Sequence, residues 1–197
     1  VPQNVFLFGT VGRLSKQKAP ADFVRAAAVL HKNYPNTHFV WVGDGELQAE
    51  TEALVGSLDL QNVFHFSGLR RDIPPVLHAL DCFVLASHWE GFSISVLEAM
   101  AAGLPVVINQ VSGAAEAVVD DETGFQVPIG DVDALVVAMK KIISDPQKAT
   151  AMGQASRIRA EKYFNQSRMI DEIQNIYEEI YLVSLEKRNS NFTHKPI

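Results

Sequence analysis

Short apolar runs of strand length alternate with longer stretches of helical period as far as Val127, and this alternation limits the folds open to the chain. Strand-like runs occupy residues 5–11, 38–42, 63–66, 82–86 and 105–109, with a shorter one at 124–127. Helical segments fall between them at residues 20–33, 46–58, 72–80, 93–102 and 112–119. In the first of these Ala21, Val24, Ala28 and Leu30 recur close to the helical period, and Pro20 stands in the first turn, where a missing N–H costs nothing. Strands alternating with helices build a parallel sheet, because right-handed crossovers lay the helices on its two faces. The expected fold is therefore α/β, a doubly wound, mainly parallel sheet of about six strands. Beyond Val127 the pattern becomes helical. Asp131 and Asp145 read as N-caps, Pro146 as a first helical residue, and a last helix covers residues 166–185. The expected organisation is one domain over residues 1–185, ending in a helical appendage, and a polar, disordered tail over residues 186–197.

Composition removes several function classes. With 47% hydrophobic and 20% charged residues among 197, the chain can bury a core without metals or disulfides. A net charge of -6 argues against nucleic acid as a partner. No apolar stretch approaches the roughly 18 residues of a membrane span, and nothing at the start reads as a signal peptide. Cys82 has no partner for an internal disulfide, which suits a reducing, cytoplasmic setting, and its apolar run predicts a buried, inert thiol. Without a secretory signal, the sequons at Asn165 and Asn191 are read as coincidence. The first strand has no polar preamble, so the chain is expected to start partway through a longer protein.

The chemistry-bearing residues gather just after the strands. Gly12-Arg13 closes the first run, Gly43-Asp44-Gly45 the second, Ser67-Gly68 the third, Ser87 to Gly91 the fourth and Gln110 to Gly113 the fifth. In an open parallel sheet these ends share one edge, where ligands bind. Arg13 and Lys18 flank a loop before a helix N-terminus, a setting that suits a diphosphate, whereas Lys16 reads as a solvated charge. There is no P-loop pattern, and Gly43-Asp44-Gly45 lacks the third glycine of a dinucleotide fingerprint. Glu90 precedes a helix and Glu98 lies about two turns along it, roughly 10 Å away. Carboxylates at that spacing suit the hydroxyls of a sugar and a ribose. For Glu98 a capping box with Ser95 is an equal alternative. Asp131-Val132-Asp133 is read as a helix start, with no metal site expected.

Taken in order, these elements resemble the C-terminal domain of the retaining glycosyltransferases of family four, enzymes of the GT-B fold built from two Rossmann-like domains. The resemblance is carried by Gly12-Arg13-Leu14 with Gln17-Lys18, by Val42 to Gly45, and by Glu90 to Pro105, a Glu, seven residues, Glu motif followed by Ala-Met-Ala-x-Gly-x-Pro. Gly113 to Glu116 and Glu122 to Phe125 add to it. It implies a site for a nucleotide-diphosphate sugar such as a UDP-, GDP- or ADP-sugar, used as substrate with no further cofactor and no metal. By this resemblance Arg13 and Lys18 contact the diphosphate and stabilise it as it leaves, and Glu90 holds the transferred sugar. Glu98 takes the ribose, with Gly12, Gly91, Phe92 and Ser93 beside sugar or phosphate and Gly68-Leu69 facing the base. It implies transfer with retained anomeric configuration, an acceptor held by an N-terminal domain preceding Val1, and a fragment inactive alone. Any peripheral membrane contact would fall to that missing domain, onto which the last helix, with Ile170, Ile173, Ile176, Tyr177 and Ile180, would cross. Ala19 and Ser112 depart from the family in standing where glycine is frequent. His88 is read as a rim side chain. The competing readings are a stand-alone nucleotide-binding or regulatory module, and a related GT-B enzyme such as a nucleotide-sugar epimerase or a phosphorylase.

Overall fold

The computed structural model describes residue 2 and residues 4–192. Its sheet has six strands, all parallel: β1 (Phe6–Val11), β2 (Thr37–Val42), β3 (Phe64–Phe66), β4 (Cys82–Leu85), β5 (Val106–Asn109) and β6 (Gly124–Val127). Helices α1 (Pro20–Asn33), α2 (Gln48–Ser57), α3 (Ile73–His78), α4 (Ile94–Ala101) and α5 (Ser112–Ala117) make the crossovers. After β6 come α6 (Val132–Ser144), α7 (Pro146–Tyr163) and α8 (Gln166–Phe192). The order β3-β2-β1-β4-β5-β6 winds outward from β1 and then returns to β1's other side, so β1 and β4 flank the topological switch point. β1 pairs with β2 over six residues but with β4 only at Phe8↔Cys82 and Gly9↔Phe83.

One sheet face explains the alternation. Phe8, Phe39, Trp41, Phe64, Cys82 and Val84 point to a core shared with Phe23, Ala27 and Leu30 of α1 and Leu135, Met139 and Ile142 of α6. Asp131 starts α6 as expected, its carboxylate accepting from the Ala134 N–H at 2.8 Å, and Asp145 does the same for α7 through Lys148 N–H at 2.9 Å. Burial drives the Cys82 thiol upward, as expected of an inert core cysteine.

The chain divides into two compact units, residues 1–160 and residues 161–197. The last helix continues to Phe192, past the end expected at residue 185. The rest of the expected tail, residues 193–197, lies outside the described residues. Within the second unit Ile170, Ile173, Ile176, Tyr177 and Ile180 are exposed. No helix among the described residues is long and apolar enough to cross a membrane.

Candidate functional site

The switch point is bordered by the segment after β1. Its path is fixed by backbone bonds: Gly12 N–H donates to Val42 O at 2.9 Å, Leu14 N–H to Asp44 O at 2.8 Å, and the Trp41 indole to Gly12 O at 2.8 Å. Gly43 has φ 132°, and a Cβ there would lie 2.2 Å from Gly12 O, so only glycine lets the loops after β1 and β2 touch. Ala19, just before α1, is left-handed at φ 46° and ψ 56°. That conformation accounts for the frequency of glycine here in the resembled family, and alanine reaches it at a cost of about 1–2 kcal/mol.

This loop meets the one after β4 at Glu90. The Lys18 ammonium lies 2.5 Å from Glu90 Oε1, with the two side chains only 16% and 7% exposed. Ser87 Oγ donates to the same oxygen at 2.7 Å, and Gln17 Nε2 to Oε2 at 3.3 Å and to Trp89 O at 3.0 Å. Ser87 is fully buried, and buried Asn109, at the end of β5, donates to the carbonyls of Ala86 and Ser87 at 2.8 and 3.1 Å. His88 N–H donates to Gln17 O at 2.9 Å, and its ring faces Asp22 of α1 at 2.7 Å. Lys18 and Glu90, expected to share a site, are thus in direct contact. Ser87 was expected only as part of the loop after β4, and Asn109 and Asp22 were not expected here. A serine three residues before the motif glutamate was the one legible hint; the reach of Asn109 and Asp22 depends on tertiary pairing.

Of the remaining residues, Arg13 and Glu98 line two different cavities. Arg13 is exposed and loosely paired with Glu46 at 3.4 Å, an arrangement weak enough to yield to an anion. With Gly12, Val42, Gly43, Asp44, Leu69, Arg70 and Ile73 it lines a cavity of about 320 Å³. Gly68 is left-handed at φ 64° and its carbonyl accepts from Gly43 N–H at 2.9 Å, which turns exposed Leu69 toward that cavity. Glu98 lines a separate cavity of about 430 Å³, with Ile73, Leu77, His78, Ala101 and Arg157. That larger cavity runs beside α3 and α4, away from Lys18, and touches the smaller one only at Ile73. Ser93 holds the N-cap position of α4 without a side-chain capping bond, so Ser95 lies inside the helix and the capping box with Glu98 does not form. Glu98 is left as an exposed carboxylate on a cavity wall. Gly91 and Phe92 are exposed just before this cap, and Gly113 packs against them so closely that a Cβ would fall 2.1 Å from Gly91 O. Lys16 is exposed, as expected. Among the described residues no cluster of three or more His, Cys, Asp or Glu is arranged to hold a metal ion.

A titratable pair lies outside this site. His38 of β2 and His65 of β3 meet with Nδ1 and Nε2 2.9 Å apart and ring planes within 10°. Burial lowers both pKa values below 6.5, helped at His38 by His31 and at His65 by His38.

The family profile described as "Glycosyl transferases group 1" matches residues 1–159. An Escherichia coli UDP-Gal:alpha-D-GlcNAc-diphosphoundecaprenol alpha-1,3-galactosyltransferase is 34% identical over 178 residues, covering 89% of this chain and 46% of that protein. Among solved structures, Anabaena HepE in complex with UDP superposes with a TM-score of 0.85 at 28% identity, over 89% of this chain and 49% of that one. The C-terminal domain of a group 1 glycosyl transferase, LpcC of Francisella tularensis, gives 0.76 at 30% identity, over 82% of this chain and 87% of that one. The chain spans about half the length or less of the curated relatives it matches. With the sheet order, the switch-point loops and these likenesses in agreement, the chain belongs to the group 1 glycosyl transferases, as a Rossmann-like domain of the GT-B fold.

Proposed function

We propose that the chain is the donor-binding domain of a retaining, family-four glycosyltransferase, taking a nucleotide-diphosphate sugar whose glycosyl group passes to an acceptor held by an N-terminal domain of the full-length enzyme. The carrying observation is the meeting of Lys18 with buried Glu90 at the switch point, a cation for phosphate beside an acceptor for hydroxyls. Arg13 and Lys18 take the diphosphate, and as the sugar–oxygen bond breaks they stabilise the charge gathering on the leaving phosphate. Glu90 holds the sugar and Glu98 the ribose. The base lies by Gly68 and Leu69, and Gly12, Gly91, Phe92 and Ser93 lie beside sugar or phosphate. HepE structures with UDP and with UDP-glucose, and the UDP-Gal relative, favour a UDP-sugar over GDP- and ADP-sugars. Because two cations already face the diphosphate, binding needs no divalent metal. In this reading the domain works in the cytoplasm and is inactive without its N-terminal partner.

Calorimetry with UDP, UDP-glucose, UDP-galactose, GDP-mannose and ADP-glucose, with and without EDTA, tests the reading. A charge-assisted hydrogen bond contributes about 1.5–3 kcal/mol, roughly ten- to over a hundredfold in affinity. Glu98→Gln should weaken diphosphate and nucleotide-sugar alike, and Glu90→Gln the nucleotide-sugar alone. Nucleotide-sugar binding that survives both substitutions, or that vanishes with EDTA, would contradict it.

A further inference from the structure

Glu90 is surrounded by more donors than a sugar contact requires, and counting its acceptor sites separates their roles. A carboxylate has about two acceptor sites on each oxygen. Oε1 takes Lys18 and Ser87, and Oε2 takes Gln17. If Lys18 turns to a diphosphate, Oε1 keeps Ser87 and gains one open site, matching the site already open on Oε2 beside Gln17. Two adjacent open sites match the two O–H donors of neighbouring ring hydroxyls. Ser87 and Gln17 come from opposite sides of the switch point. Ser87 is fixed by Asn109 of β5, while Gln17 accepts His88 N–H and donates to Trp89 O.

We infer that Ser87 and Gln17 are positioning residues: they hold the Glu90 carboxylate in place when Lys18 moves to the donor diphosphate, leaving one acceptor site on each oxygen for a vicinal diol of the sugar. This rests on the reading of Glu90 as the sugar contact. Either residue's loss lets the carboxylate swing with Lys18 or rotate from the diol, so affinity for the sugar falls while affinity for the diphosphate stays.

The test uses the whole chain and the nucleotide-sugar of the above panel that binds it best, with its matching diphosphate. The readout is the ratio of the two dissociation constants, which a merely structural role would not move because both affinities would fall together. Gln17→Met and Ser87→Ala should each cut the sugar-dependent gain by about tenfold and leave diphosphate affinity within twofold. Ser87 is fully buried, so if Ser87→Ala fails to fold, half-buried Gln17→Met decides alone. An unchanged ratio in Gln17→Met, or a parallel loss of both affinities, overturns the inference. Glu90→Gln run alongside separates the two failures: an unchanged ratio in that variant, or no panel member binding the wild type, overturns the underlying reading instead.

Discussion

Replacing Lys18 by methionine keeps the length of the side chain and removes its charge, leaving Glu90 with a side chain 7% exposed and no cation. At the 2.5 Å separation the gross attraction is about 7 kcal/mol with an effective dielectric near 20. Only part of this is lost in the variant, because Ser87 and Gln17 still donate to the carboxylate and some water reaches the 16%-exposed lysine. Breaking a buried pair by removing one partner costs about 3–5 kcal/mol, and the two remaining donors reduce that to about 2–4 kcal/mol. For a chain of this size the melting temperature should fall by about 5–12 °C. Lys18→Met with Glu90→Gln should cost at least ~1 kcal/mol less than the sum of the single changes, since neither leaves a bare charge in the double variant. Urea unfolding of the four proteins measures both quantities. A Lys18→Met variant within about 0.5 kcal/mol of wild type, or strictly additive changes, would refute the argument that a buried ion pair organises this edge.

Two further outcomes follow from local geometry. Gly113→Ala places a Cβ 2.1 Å from Gly91 O, backbone against backbone. It should cost about 2–3 kcal/mol and, by pushing residues 91–92 outward, weaken nucleotide-sugar binding; an unchanged urea midpoint would deny the close approach. His38 and His65 titrate near 6.5 in the unfolded chain and lower when folded, so the unfolded chain takes up protons first as the pH falls. Their stabilisation is present above about pH 6.5 and lost as the pH drops toward the folded values. His65→Gln should therefore flatten the difference in urea midpoint between about pH 7.5 and pH 5, and an unaltered difference would rule this pair out as its source. Asp81, raised above 3.8 by burial, acts in the opposite sense: its contribution is present below 3.8 and lost as pH rises through the folded value.

The periodicities placed the strands and crossover helices to within a residue or two, because most of the strands are short buried runs, whereas the end of the last helix was placed seven residues short. The same local rules found Asp131 and Asp145 as caps, whose bonds reach only three residues. Lys18 and Glu90 were expected on one edge because each follows a strand of a parallel sheet, and the two side chains do meet. The contacts that fix Glu90 were not, since Gln17 and Asn109 lie far from it in sequence and owe their nearness to β1 and β5 flanking β4. The choice for Glu98 between cap and cavity wall turned on where α4 begins, a shift of two residues that hydrophobic period does not register.

The two-residue ladder between β1 and β4 makes the middle of the sheet its thinnest join. Above it, at the carboxyl end, the two halves are stitched by Lys18 to Glu90, Gln17 to Trp89, His88 to Gln17 and His88 to Asp22. One of those stitches, Lys18 to Glu90, uses side chains that also face the ligand in the proposed reading. Retuning these loops for another ligand therefore loosens a mechanical joint, so tolerated changes should come in compensating pairs across the join, one residue in the segment after β1 and one in the segment after β4.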